Sequence, residues 1–395
     1  VVSALEAYIP LLVPQPLKRL SRTVLKSLLL LWCTGPRPRD DQGDLRSHAF
    51  LRIRQMALLL PPPFMEDVLK GVYVFYTRTA KSFSEHTAPS VLFMMECANE
   101  LYGIDMATSY QTAFVYVRQL ALHLRAALVK KSSDAVQQVS SWQTLNCLRL
   151  WTRIVCTYPA EDCLRPLVFP LAQVILGIMG LMQSSRTAPL RMHLATLLHQ
   201  LSAATSLFIP TATRLAGILD APELAAPPSG ASPAPPSLYF SLRLATDALR
   251  KRSAQDVVVQ EVLELLLHDA EVVRYNPGFP EYAFLTVRRL RAFAKATKVA
   301  KWRGLCQATA TQLERMREWV EERRAGLSEA PKDVTDMEHL RPPGEPPAME
   351  RLMRLIQRQL KRTRGTADMD EILVGASAAD GDDDDEEEED DDDDE

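Results

Sequence analysis

The cations between Val287 and Arg303 are the residues of this chain best spaced to do chemistry. Arg288, Arg291, Lys295 and Lys298 fall within one quarter of a helical wheel, and Arg289, Lys301 and Arg303 flank them. Val287, Leu290 and Ala294 occupy a separate face that can pack inward. Such a stripe attracts phosphates or an acidic protein surface, although an ordinary solvated face has the same composition. Arg149 and Arg153, four apart beside Trp151, can grip RNA or pair with acids of the next helix, and the structural pairing is the expected one. At the other extreme of charge, Asp380 to Glu395 is almost purely acidic and cannot bury enough surface to fold. That tail can imitate nucleic acid toward histones or basic ribosomal proteins, fold back on the basic body, or act only as a solubiliser.

No constellation points to catalysis. The chain has no G-x-x-x-x-G-K, G-x-G-x-x-G, H-E-x-x-H or G-x-S-x-G. His193 and His199 are six apart, which does not place them on one helical face around a shared metal, and His123 reads as a packed or hydrogen-bonded histidine. The six cysteines (Cys33, Cys97, Cys147, Cys156, Cys163, Cys306) include no C-x-x-C pair and fit free, mostly buried thiols in a reducing compartment. The expectation is therefore a non-enzyme with no cofactor and no metal. The net charge of −4 conceals a basic body: 15 of the 50 acids lie in residues 380–395, leaving 35 against 46 Lys and Arg. The most apolar stretch, Leu167 to Met182, is interrupted by Pro170 and Gln173 and falls short of the ~20 residues a membrane span needs. The chain starts at Val1 in mid-pattern without a methionine, as a fragment would.

The elements that must position these residues read as helices almost throughout. Apolar periodicity predicts helices at about Leu17–Cys33, Leu45–Leu59, Phe64–Ala80, Ala88–Tyr102, Met106–Lys130, Ser133–Thr157, Cys163–Met182, Pro189–Ala203 and Pro210–Leu219. It resumes at Leu238–Arg250, Ala254–His268, Pro280–Ala296 and Lys298–Arg324, with one more candidate at Met349–Lys361. Strand-type alternation is almost absent. Helices of this length with short connections predict an all-α HEAT/armadillo-like solenoid with a disordered acidic C-terminal tail, although an irregular bundle has the same grammar. The implied segments are repeats over 1–220, a Pro-rich linker at 221–237, further repeats over 238–326, a peripheral segment at 327–363 and the tail at 364–395. At the centre stands Tyr110–Lys130. Tyr110, Ala113, Phe114, Val117, Leu120, Ala121, Leu124 and Leu128 share one face, Gln111, Arg118 and Arg125 form a narrow polar seam on another side, and Val115, Tyr116 and Leu122 make the rest of the surface apolar. A helix so apolar is expected among the most buried segments, with Phe114 in the core.

The same stretch, with Trp142-Gln143, Cys147-Leu148-Arg149-Leu150-Trp151-Thr152-Arg153, Pro166-Leu167, Pro170-Leu171-Ala172-Gln173, Pro189-Leu190-Arg191 with His193, and Phe208-Ile209-Pro210, resembles the nucleolar complex protein 2 family most closely over residues 107–219. Weaker echoes follow at Tyr239-Phe240-Ser241-Leu242-Arg243 and Phe279-Pro280-Glu281-Tyr282. The resemblance implies a non-catalytic helical scaffold in nucleolar assembly and intranuclear maturation of pre-60S particles. It also implies partners similar to nucleolar complex proteins 1 and 3, and contacts with pre-rRNA. A histone-binding chromatin role for the acidic tail is the alternative. The family's basic low-complexity N-terminal region is not present in this sequence.

Overall fold

The computed structural model describes residues 5–12, 17–34, 42–225, 228, 235–325, 344–346 and 348–356. In order, the helices are α1 (Leu5–Tyr8), α2 (Lys18–Cys33), α3 (Gln42–Leu59), α4 (Phe64–Thr79), α5 (Ala88–Tyr102), α6 (Met106–Lys130), α7 (Ser133–Val139) and α8 (Trp142–Thr157). They continue with α9 (Val168–Leu181), α10 (Ala188–Thr205), α11 (Ala212–Ala216), α12 (Pro222–Ala225), α13 (Thr246–Leu249), α14 (Arg252–Val273), α15 (Phe279–Ala296) and α16 (Ala300–Ala325). Residues 348–356 form one more, α17. The fold is all-α, and the described residues contain no strand.

The helices pack in succession: α2 on α3 and α4, α4 on α5 and α6, α8 on α5 and α10, α9 on α6 and α10, α10 on α14, and α15 on α16. Each helix thus finds its main neighbours near it in the stack, the arrangement by which helical arrays extend one surface. Among the described residues one large apolar core nevertheless runs from Ile9 to Val320, with Trp32, Trp151 and Trp302 fully buried along it, and a small second cluster joins Ala203 to Ala348 and Leu352. Where two helices come closest, the sequence supplies glycine. A Cβ on Gly177 of α9 would lie 2.5 Å from a Leu124 methyl of α6, and one on Gly71 of α4 would lie 2.7 Å from a Leu29 methyl of α2.

Several predicted helices are shorter or divided, for local reasons. Ser133–Thr157 breaks at Ser140-Ser141, because the Ser141 hydroxyl accepts the Thr144 amide and begins a new helix at Trp142. Cys163–Met182 becomes a 3-10 turn at Arg165–Leu167 followed by α9, and Pro210–Leu219 shrinks to α11, which ends at Gly217. Leu238–Arg250 is helical only at α13; its first half is held instead by Leu244, whose amide donates to the Arg186 carbonyl at 2.8 Å. At the start of the Pro-rich linker, α12 is tied to the body: Leu224 is buried, Glu223 accepts the Ser185 hydroxyl, and its carbonyl accepts the Gln255 side-chain amide. Of the Met349–Lys361 candidate, residues 348–356 are helical and 357–361 lie outside the described residues, as does the acidic tail.

The main correction concerns α6. Its inner line, Ala113, Val117, Leu120, Leu124 and Ala127, is buried as expected, but Phe114 is 45% exposed and Leu128 46% exposed. Val115, Leu122 and Val129 are also exposed, at 59%, 51% and 74%. The helix is covered by α4, α7, α8 and α9 on one side and by nothing described on the other. Apolar composition all round therefore marks a helix with one uncovered face, not a central one. Replacing Leu124 by Ala should cost about 2–5 kcal/mol, whereas Leu122→Ala should stay within ~0.5 kcal/mol, as read from urea-unfolding midpoints. Equal losses at the two positions would contradict this placement of the helix.

Candidate interaction surface

The basic stripe lies on the last long helix pair. Helix α15 buries Phe279, Ala283, Val287, Leu290 and Ala294, and α16 buries Trp302, Cys306, Ala310, Leu313 and Val320. Thr297 is extended, and its amide donates back to the Phe293 carbonyl, so the chain turns between the two helices. The single helical wheel assumed for Val287–Arg303 is therefore broken: Lys298 sits in the turn, and Lys301 and Arg303 belong to α16. Two ion pairs across the hairpin, Arg291–Glu314 and Glu281–Arg324, share one antiparallel register.

The structure sorts the seven candidate cations into two groups. Four have local partners. Arg291 pairs with Glu314, and Arg289 donates to the Thr213 carbonyl at 2.8 Å. Lys301 pairs with Asp256 at 3.1 Å, and Arg303 donates to the Thr297 carbonyl. Arg288, Lys295 and Lys298 are exposed and have no ion pair among the described residues. These three are the cations the fold leaves available to a phosphate or a carboxylate.

The other arginine pair behaves structurally, as expected for Arg153, whose guanidinium grips Glu96 of α5 at 2.9 Å. Arg149 instead lies 4.6 Å above the Phe83 ring, with Trp142 and Tyr239 within 6 Å. It donates to Asn146 and faces His193 Nδ1 at 3.3 Å. Its charge is thus balanced by ring faces rather than by an acid. His123 is 3.5 Å from the Gln138 amide. His193 and His199 part company: one faces Arg149 and the Ser241 carbonyl, the other joins a buried cluster. In that cluster Asp269, 1% exposed, accepts hydroxyls from Thr211 and Tyr282 and stands 3.3 Å from His199. Sequence reading missed this knot, because its four members come from separate segments with no shared spacing. No group of three His, Cys, Asp or Glu side chains among the described residues could hold a metal ion. No described helix is long and apolar enough to cross a membrane.

The quoted sequence blocks meet in this architecture. Trp142, Arg149, His193 and Tyr239 build the cage, Trp151 closes on Tyr73 and Tyr102, and Tyr282 reaches Asp269. Residues 63–344 match the Noc2p family, which is most of the chain. The chain belongs to the Noc2p family. Nucleolar complex-associated protein 2 of Arabidopsis thaliana is 32% identical over 363 residues, 91% of this chain and 47% of its own length. Nucleolar complex protein 2 of Drosophila melanogaster is 29% identical over 81% of this chain and 41% of its own length. A homologue of that name in Caenorhabditis elegans is 26% identical over 71% of this chain and 39% of its own. The chain thus spans about half the length of the curated relatives it matches.

Two buried groups oppose one another in acid. Burial holds His193 down at about 4, and the neighbouring Arg149 adds to the effect. The unfolded chain, titrating near 6.5, then binds the extra proton, so His193 removes stability as pH falls from about 6.5 to about 4. Burial pushes Glu261 of α14 up to about 7, with Glu264 next in effect. Its favourable contribution is complete below the unfolded carboxyl value and is lost as pH rises through about 7. Glu261→Gln should therefore unmask an acid-labile slope of up to ~1.4 kcal/mol per pH unit between pH 4.5 and 6, and His193→Gln should give the opposite trend. Urea unfolding across that range checks the pair, and identical pH profiles for both variants would refute it.

Proposed function

We propose that this chain is a non-catalytic, HEAT-like scaffold that assembles large ribosomal subunit precursors in the nucleolus and accompanies their maturation through the nucleoplasm. The observation that carries this reading is the match to the Noc2p family over residues 63–344, laid on one uninterrupted core. Its partners are proteins similar to nucleolar complex proteins 1 and 3, held on the sides of the stack, within pre-60S particles. A serial stack suits the task, since it offers a long outer surface without needing a pocket. Direct contact with pre-rRNA is assigned to Arg288, Lys295 and Lys298, the three of the seven stripe cations without an ion pair among the described residues. Histone binding through Asp380–Glu395 is the competing reading, and deletion of those residues tests it directly.

Depleting the protein should lower free large-subunit levels in sucrose gradients and leave early large-subunit precursor RNAs accumulating. Unchanged profiles would remove the assembly reading.

If the three free cations touch single-stranded RNA, changing all of them to Gln should flatten the slope of log affinity against log salt by about 2 units. Gln keeps the helical propensity at Arg288 and Lys295, so the hairpin should persist. An unchanged slope would mean these cations form a solvated face.

A further inference from the structure

We infer that the outward face of α6 is the docking ridge for an amphipathic helix of a partner protein, one with carboxylates bordering its apolar stripe. Val115, Leu122 and Val129 are seven residues apart and exposed, so they form one line along the helix. Arg118 and Arg125 form a second line beside it with the same spacing; both are exposed, and neither has an ion pair or a hydrogen bond among the described residues. Phe114 and Leu128, also exposed, lie on the far side of that arginine line. The whole of Met106–Lys130 contains no Asp or Glu, and Lys131 follows it. The inner side of the same helix is already committed to the core, with Leu124 seated against Gly177.

The pattern selects the occupant. A partner helix lying along α6 covers the apolar line with its own apolar residues and places acids against Arg118 and Arg125, in the manner of a heptad seam with flanking charges. From Val115 to Val129 the ridge is about 21 Å long, which is about four turns of such a helix. RNA phosphates would meet the arginines but leave Val115, Leu122 and Val129 in water. A purely acidic segment such as 382–395 would do the same. Charge complementarity thus favours a protein helix that is both apolar and acidic. Only the partner's place among assembly factors rests on the function proposed above; its chemistry follows from the ridge.

The test uses the full 395-residue chain with a photoreactive benzoyl-phenylalanine at Leu122, expressed in cells, irradiated, and sequenced at the cross-linked peptide by mass spectrometry. The expected product is one helical peptide of another protein, with Asp or Glu beside its apolar residues. Arg118→Glu with Arg125→Glu should weaken binding of that purified protein about tenfold or more, and exchanging the facing acids for Lys should restore it. Both arginines are exposed, so melting temperature and circular dichroism should not change. A second variant, Leu122→Glu, should weaken binding without the charge swap rescuing it. Cross-linking to RNA, to another part of this chain, or to nothing would overturn the proposal, as would charge reversal without effect. A docked acidic helix from a protein outside ribosome assembly would leave the ridge standing and remove the assembly reading. Intact binding losses are read in vitro and subunit profiles in cells, so the two failures stay separate.

Discussion

Asp269 is the constraint on which the C-terminal half of this fold depends. A carboxyl group so deeply buried would cost several kcal/mol if left without partners. Here Thr211 and Tyr282 both donate to it, and His199 stands at hydrogen-bonding distance from Thr211. The Tyr282 hydroxyl also accepts the Ala212 amide at 2.7 Å, which satisfies the start of α11. One buried acid therefore fixes the mutual positions of α10, α11, α14 and α15. The hairpin of α15 and α16, which carries Arg288, Lys295 and Lys298, is oriented by that knot and by Asp256, which holds both Lys301 and the Trp302 indole.

The N-terminal half uses aromatic rings where the other half uses a carboxylate. Arg149 brings Phe83, Trp142 and Tyr239 around its guanidinium, joining α8 to segments on either side of it in the chain. Tyr76 and Asn146 complete the junction: the Tyr76 hydroxyl donates to the Asn146 carbonyl, and the Asn146 amide donates to the Ala80 carbonyl. Polar groups of this kind specify a register that apolar packing alone leaves free to slide. Both junctions lie inside the stack, whereas the face of α6 and the outer side of the last hairpin stay exposed.

Much of this was legible in the sequence, because long helices announce themselves by period. The bounds of α2, α5, α15 and α16 follow from apolar spacing and from Pro or Gly at their ends. The breaks were not legible where tertiary contacts decide, as at Tyr239-Phe240, which packs against Phe83 instead of continuing a helix. Nor was the exposure of Phe114. Composition reports that a helix has apolar residues all round, but it cannot report whether each side is covered by this chain or by something else. The cation stripe failed in part for a simpler reason: the turn at Thr297 sits inside it. Asp269 was invisible because a buried acid and an exposed one look alike until their partners are placed.

The central claim is that α10, α11, α14 and α15 form one cooperative unit, held together by the Asp269 knot. Hydrogen exchange followed by mass spectrometry on Asp269→Ala measures this directly. The account predicts that amides of α10, α11, α14 and α15 lose protection together, with α2 and α3 at the far end of the stack little changed. Loss confined to the single turn around residue 269, with α15 and α10 protected as before, would contradict it.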